Sequence, residues 1–266
     1  MSILIRRRFA FYLTITCCLF IMSCGLIVFN GPSARELYNN KNMSWQTETT
    51  SHFRLYFEEE SYAHKNISIL KNGSEKSYSH ILSLLNEKNY NDTIHVFIVD
   101  SRTKMKDLLG WETNGSAFPK HNVVCYIYSQ LIKANTSHEI MHIISMNLWG
   151  NSDPWIREGL AVYSDDNWHG YSLHGLCKYL MLKGKLLPLK NIMTKFNSYD
   201  DLLTYPQAGS FVKFLYENYD LEIVQYVWKK GWRSIHEIIG KDLGVLEQEW
   251  HNIINENELT NIKYEL

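Results

Sequence analysis

Residues 137–166 read SHEIMHIISMNLWGNSDPWIREGLAVYSDD. His138 and His142 stand four residues apart, and Glu139 directly follows the first. Residues four apart share one face of a helix. Both imidazoles would therefore meet one ion, while Glu139 points to one side, within reach of a water beside that ion. This is the H-E-x-x-H arrangement, whose chemistry is hydrolysis by a water made acidic by a divalent metal. Zinc at a catalytic site takes three protein ligands and keeps one position open. Glu158 is the candidate third ligand. It lies on what reads as the next helix, and Gly150, Asn151, Ser152, Asp153 and Pro154 give the chain a reversal between the two. Glu139 would take a proton from the attacking water and pass it to the leaving amine. A lone helical His or Glu is usually just solvated. With 11 histidines in the chain, the five-letter pattern arises by chance at roughly the few-per-cent level, so the second half of the stretch must carry weight.

That half is WIREGLAVY. It resembles the W-x-x-E-G-x-A-x-Y segment of gluzincin metallopeptidases through Trp155, Glu158, Gly159, Ala161 and Tyr163. Gly159 and Ala161 are small enough to let a neighbouring helix approach beside the ligand. The likeness extends to the small peptidase MA-like domains of that group. YPQAGSFVKFLYENYD at 205–220 looks like their following segment, HFRLYFEE at 52–59 like their opening strand, and LGVLEQEW at 243–250 like their closing helix. It covers most of residues 50–255 but is diffuse outside the two metal motifs.

The resemblance implies a zincin-like domain with one Zn²⁺ ion on His138, His142 and Glu158, Glu139 as the catalytic carboxylate, and a peptide or protein substrate. In related families a tyrosine donates to the oxyanion. Tyr205, which opens the third segment, is the candidate; the plainer reading makes it a packing residue beside Pro206. Tyr163 is the second choice. The ligand gap is shorter than in the large aminopeptidases. No G-x-M-E-N segment precedes the site, and GWETN at 110–114 is only a superficial echo. That segment recognises a free amino terminus, so the expectation is an endopeptidase, with an aminopeptidase as one alternative. The other alternative is a non-catalytic binding protein that keeps its metal for stability. Glu139 argues against it, because a structural site needs no general base.

Other polar residues have weaker claims. Asp165 and Asp166 either orient a ligand histidine or end a helix in solvent. His121, His169 and His174 are substrate-contact candidates, each with a plainer reading as a surface histidine. VVCYIY at 123–128 reads as a strand, and the resemblance makes it an edge that pairs with an extended substrate. Met141, Ile143, Ile144, Met146 and the aromatic residues of 226–232 read as core.

The elements that must position these residues follow from periodicity. Strands are expected at 52–59, 92–100 and 123–128. Helices are expected at 61–88 (interrupted near Gly73), from Ser101 as cap, and at 135–149, 154–165, 171–183, 200–218, 220–230 and 233–256 (broken near Gly240 and Gly244). WETNGSAFPKHN reads as a loop. Strands mixed with helices first, then helices only, argue for an α+β fold: a small mixed sheet in the N-terminal half, a helical C-terminal half, and the metal site between them.

Arg6, Arg7 and Arg8 precede an uncharged apolar stretch from Phe9 to Phe29. Three readings stand: a lipoprotein signal whose cleavage box is Ile21–Cys24 (Met22 fits it poorly), an uncleaved membrane anchor, or a secretory signal. Each places the rest outside the cytoplasm, anchored to the membrane in the first two. Residues 30–50 read as a tether, 51–256 as the metallopeptidase domain and 257–266 as a tail. Cys125 and Cys177 either pair in an oxidising compartment or stay as buried thiols. Sequons begin at Asn42, Asn66, Asn72, Asn91, Asn114 and Asn135 in an Asn-rich chain. The net charge of −1 gives no ground for a nucleic-acid partner.

Overall fold

The computed structural model describes residues 31–133, 136–258, 262 and 264. The expected signal or anchor (1–29) and most of the tail lie outside that set. Among the described residues no helix is long and apolar enough to cross a membrane.

The chain begins with α1 (Ala34–Tyr38), β1 (Trp45–Thr49), β2 (Phe53–Glu58), α2 (Tyr62–Lys65), α3 (Ile67–Leu84), β3 (Ile94–Val99), α4 (Arg102–Leu109), β4 (Gly115–Phe118) and β5 (Val123–Ile127). Helices then dominate: α5 (Thr136–Trp149) and α6 (Pro154–Tyr163), a hairpin of β6 (Asn167–Trp168) and β7 (Tyr171–Ser172), α7 (Leu173–Leu182), α8 (Leu189–Lys195), α9 (Asp201–Tyr219), α10 (Leu221–Lys230), α11 (Ser234–Ile239) and α12 (Leu243–Glu256). The fold is α+β, as the order of patterns predicts.

The five larger strands form one mixed sheet in the order β1-β2-β3-β5-β4. Pairs β2/β3 and β3/β5 are parallel, and the edges β1 and β4 run antiparallel to their neighbours. Successive side chains of a strand point to opposite faces, and the core divides accordingly. Phe53, Leu55, Phe57, Val96, Ile98, Val124 and Tyr126 pack with residues of α3, α5 and the helical half. Tyr56, Phe97, Val99, Val123, Cys125 and Ile127 pack under Leu37 of α1 and Met105, Leu108 and Leu109 of α4. Ser101 caps α4 by accepting from the Lys104 N–H. Met141, Ile143 and Ile144 are buried completely, as their reading as core requires.

Several expectations are corrected. Of the tether expected at 30–50, the described residues 31–50 are folded onto the domain. Ser33 and Glu36 form a capping box on α1, Trp45 Nε1 donates to the Leu37 carbonyl, and β1 pairs with β2 along its length. A side chain at Gly31 would collide with the Phe118 ring, so the chain is packed on the sheet from its first described residue. Strand β1 is invisible to periodicity because it is an edge with four exposed positions out of five. VVCYIY is not an edge: β5 lies between β3 and β4. The edge on that side is β4, inside the segment read as a loop, where GSAF has none of the β-branched residues that announce a strand. Helix α3 runs through Gly73, and the break falls at Asn66 instead. Cys125 and Cys177 are both free and buried.

Candidate metal centre

Helices α5 and α6 are joined by a short turn at Gly150–Asp153, with Gly150 at φ 84° and Pro154 opening α6. The return brings Glu158 against the histidine pair. Its placement depends on how closely α6 lies on α9. A Cβ on Gly159 would sit 2.7 Å from the Ala208 carbonyl oxygen and 2.8 Å from Val212 Cγ2, and one on Gly209 would sit 2.5 Å from Val162 Cγ1. Only glycine permits this contact, which fixes α6 in depth. Trp155, Phe211 and Trp250 fill the space around it and are 1% exposed or less. Burying a ring such as Phe211 contributes on the order of 1.5–3 kcal/mol.

His138 Nε2 and His142 Nε2 are 3.1 Å apart, and Glu158 Oε2 lies 3.4 Å from the first and 3.3 Å from the second. The three atoms form a nearly equilateral triangle. A four-coordinate ion with bonds of about 2.0–2.1 Å spaces its ligand atoms about 3.3 Å apart. The donor set therefore fits a tetrahedral cation on three corners and leaves a fourth. Glu158 Oε2 is buried without a hydrogen-bond partner, as an oxygen reserved for a cation would be. Its other oxygen lies 3.6 Å from Arg157 Nε, which turns Oε2 toward the histidines. His138, His142 and Glu158 are 5%, 0% and 4% exposed. This buried His-His-Glu group can hold a metal ion.

The electrostatics of the side chains suit that role. Burial pulls His142 down to about 4. Burial opposes ionisation of Glu158, but the two imidazoles hold its carboxyl well below the usual carboxylate range. Burial also works against the His138 imidazolium, yet contact with Glu158 and the charge of Glu139 leave it raised. Glu139 does not join the triangle. Burial pushes its carboxyl up to about 7, and its Oε2 is buried without a hydrogen-bond partner.

Glu139 rests on the edge strand. A Cβ on Gly115, the first residue of β4, would collide with Glu139 Oε1. Gly115→Ala is expected to push the flexible end of Glu139 aside and lower any activity that uses it by about 10-fold or more, in line with the sensitivity of catalytic groups to small misplacement. Metal stoichiometry should not change. Equal activity in the variant and the parent would refute this positioning.

Tyr205 lies in the first turns of α9, with its ring centroid 6.3 Å from that of His138 and the planes 25° apart. It is thus beside the triangle. Tyr163 packs against Tyr216 instead. Asp165 is close enough for its charge to bear on His138 and Glu139, whereas Asp166 binds Lys213 at 2.6 Å. His121 lies on a 3-10 turn before β5, and His169 is exposed in the β6–β7 turn. His174 is buried with Nδ1 2.7 Å from Ser210 Oγ, so it is not a surface histidine. Sequence reasoning missed Gly115 and Arg157. The only available signal was the position of Arg157 immediately before the ligand.

No protein-family model matches the chain, and no curated protein is significantly similar to it in sequence.

Proposed function

We propose that the chain is a zinc-dependent endopeptidase, tethered to a membrane through residues 1–29 and acting outside the cytoplasm on peptide or protein substrates. One observation carries the reading: a closed triangle of three ligand atoms at tetrahedral spacing, with a separate buried carboxylate, Glu139, beside it. A structural zinc site ordinarily takes four protein ligands, and these three leave a corner for chemistry. His138, His142 and Glu158 would hold the ion, and zinc, when bound, supplies Lewis acidity that lowers the pKa of water towards about 7.

The remaining steps belong to side chains. Glu139 takes the proton of the attacking water and returns it to the leaving amine, a task suited to a carboxyl poised near neutrality. Tyr205, alongside His138, donates to the oxyanion that develops on the scissile carbonyl. Strand β4 takes over the substrate-pairing part expected of β5. It is the sheet edge that contacts α5, and its backbone can extend the sheet by one strand of substrate. Arg6–Arg8 and the apolar stretch behind them support the tether, whether as a lipid or a transmembrane anchor.

The test is removal and return of the ion. Chelation is expected to abolish cleavage of casein or a peptide library, and stoichiometric zinc to restore it; cleavage that survives full chelation rules the proposal out. Acid should act in the same direction. Burial takes His142 down to about 4 and the imidazoles keep Glu158 low, so both are in their ligand forms at neutral pH, while Glu158 and Glu139 hold His138 above its ordinary value against its burial. His138 is thus the ligand at which protons first compete with the ion, and affinity falls about tenfold per pH unit once pH drops below the raised His138 value. Competition with a chelator over roughly pH 5 to 8 reads this directly, and a flat affinity over that span contradicts it.

A further inference from the structure

The side chain that holds Tyr205 in place is itself held from the far end of the chain. The indole of Trp168 lies against the Tyr205 ring, with centroids 5.2 Å apart and planes 27° apart, and Phe196 packs on it at 5.3 Å. Trp168 reaches this position from a two-residue turn in the β6–β7 hairpin, where His169 and Gly170 both have positive φ. That backbone belongs to the tightest hairpin turns, so the indole has little freedom along the strand.

Its Nε1 donates to Tyr264 Oη at 2.8 Å. The same hydroxyl donates to the Leu202 carbonyl at 2.9 Å. Leu202 is four residues before Pro206 in α9, and proline has no N–H to offer the carbonyl one turn back. The first turns of α9, which carry Tyr205, therefore lack one of their own hydrogen bonds, and Tyr264 replaces it. Tyr264 is 8% exposed, and its own carbonyl accepts from Tyr179 Oη at 3.3 Å.

We propose that Tyr264 is a positioning residue for the candidate metal centre: through one hydroxyl it fixes both the Trp168 ring that backs Tyr205 and the proline-weakened turn from which Tyr205 projects. Tyr264 thereby acts on the centre without touching substrate. The inference rests on the peptidase reading for its effect on rate, but not for its effect on Tyr205.

The experiment uses the full chain carrying 3-fluorotyrosine, with the Tyr205 resonance assigned by its loss in Tyr205→Phe. In Tyr264→Phe, and independently in Trp168→Phe, the Tyr205 fluorine signal is expected to shift or broaden. On a peptide substrate kcat is expected to fall about tenfold, the worth of one to two neutral hydrogen bonds, with KM and bound zinc unchanged and all measurements made well below each variant's unfolding temperature. A Tyr205 signal that does not move in either variant overturns the proposal, and so does an unchanged kcat. A signal that moves in a protein whose parent form cleaves no peptide upholds the brace and rejects the peptidase reading, so the two failures are told apart.

Discussion

Glu139→Gln is expected to lower peptide hydrolysis by about 10²–10⁴-fold, the range that a positioned proton-transfer group contributes, while the bound ion stays in place. The substitution is close to isosteric, and the glutamine can still rest on Gly115, where there is no room for more. What it loses is the ability to take up a proton. The parent carboxyl is pushed up to about 7 by burial, and a bound cation would lower it again. Activity should therefore fall on the acid side as pH drops through a value below about 7, because only the ionised form accepts a proton. That limb should vanish in whatever residual activity the variant retains. The measurement is kcat/KM against pH, with metal content by elemental analysis. A variant that cuts at a parental rate, or one that has lost its metal, removes the assigned role.

His142→Ala should do the opposite: it should cost the ion and the fold together. His142 is wholly buried, and its loss leaves the Glu158 carboxylate facing one imidazole and Arg157 in a low-dielectric site. Truncating so completely buried a side chain also leaves a cavity, and large-to-small changes in a core typically destabilise by about 2–5 kcal/mol. Metal affinity should fall by more than about 100-fold, beyond what is lost with a mere supporting residue. Urea unfolding and chelator competition measure the two effects. If the variant binds one ion with parental affinity, the triangle is not the binding site.

How far the sequence foretold this depends on distance along the chain. His138, Glu139, His142 and Glu158 share one short stretch, and helical spacing with a glycine–proline turn is enough to bring them together. The close approach at Gly159 was legible too, because small residues beside a ligand have few other uses. Strand β4 was not: Gly115 is small to make room for Glu139, and that same smallness removes the strand signal. Strand β1 was hidden because an edge exposed at four positions shows no alternation. Trp168 and Tyr264 stand 96 residues apart, and no local pattern links an indole in a hairpin to a hydroxyl near the C-terminus. The strand order of the sheet and the free thiols follow from three-dimensional packing that periodicity only outlines.

All three ligands come from a stretch in which Glu158 follows His138 by 20 positions. Closing so short a loop costs little chain entropy, so the denatured polypeptide would keep a weak hold on any ion that the native triangle binds. Ligand-linked stabilisation is reduced by any affinity of the unfolded chain. Added zinc should therefore raise the melting temperature by less than the native dissociation constant alone would give, and the shortfall measures how much of the ion's grip is already present before the rest of the molecule assembles.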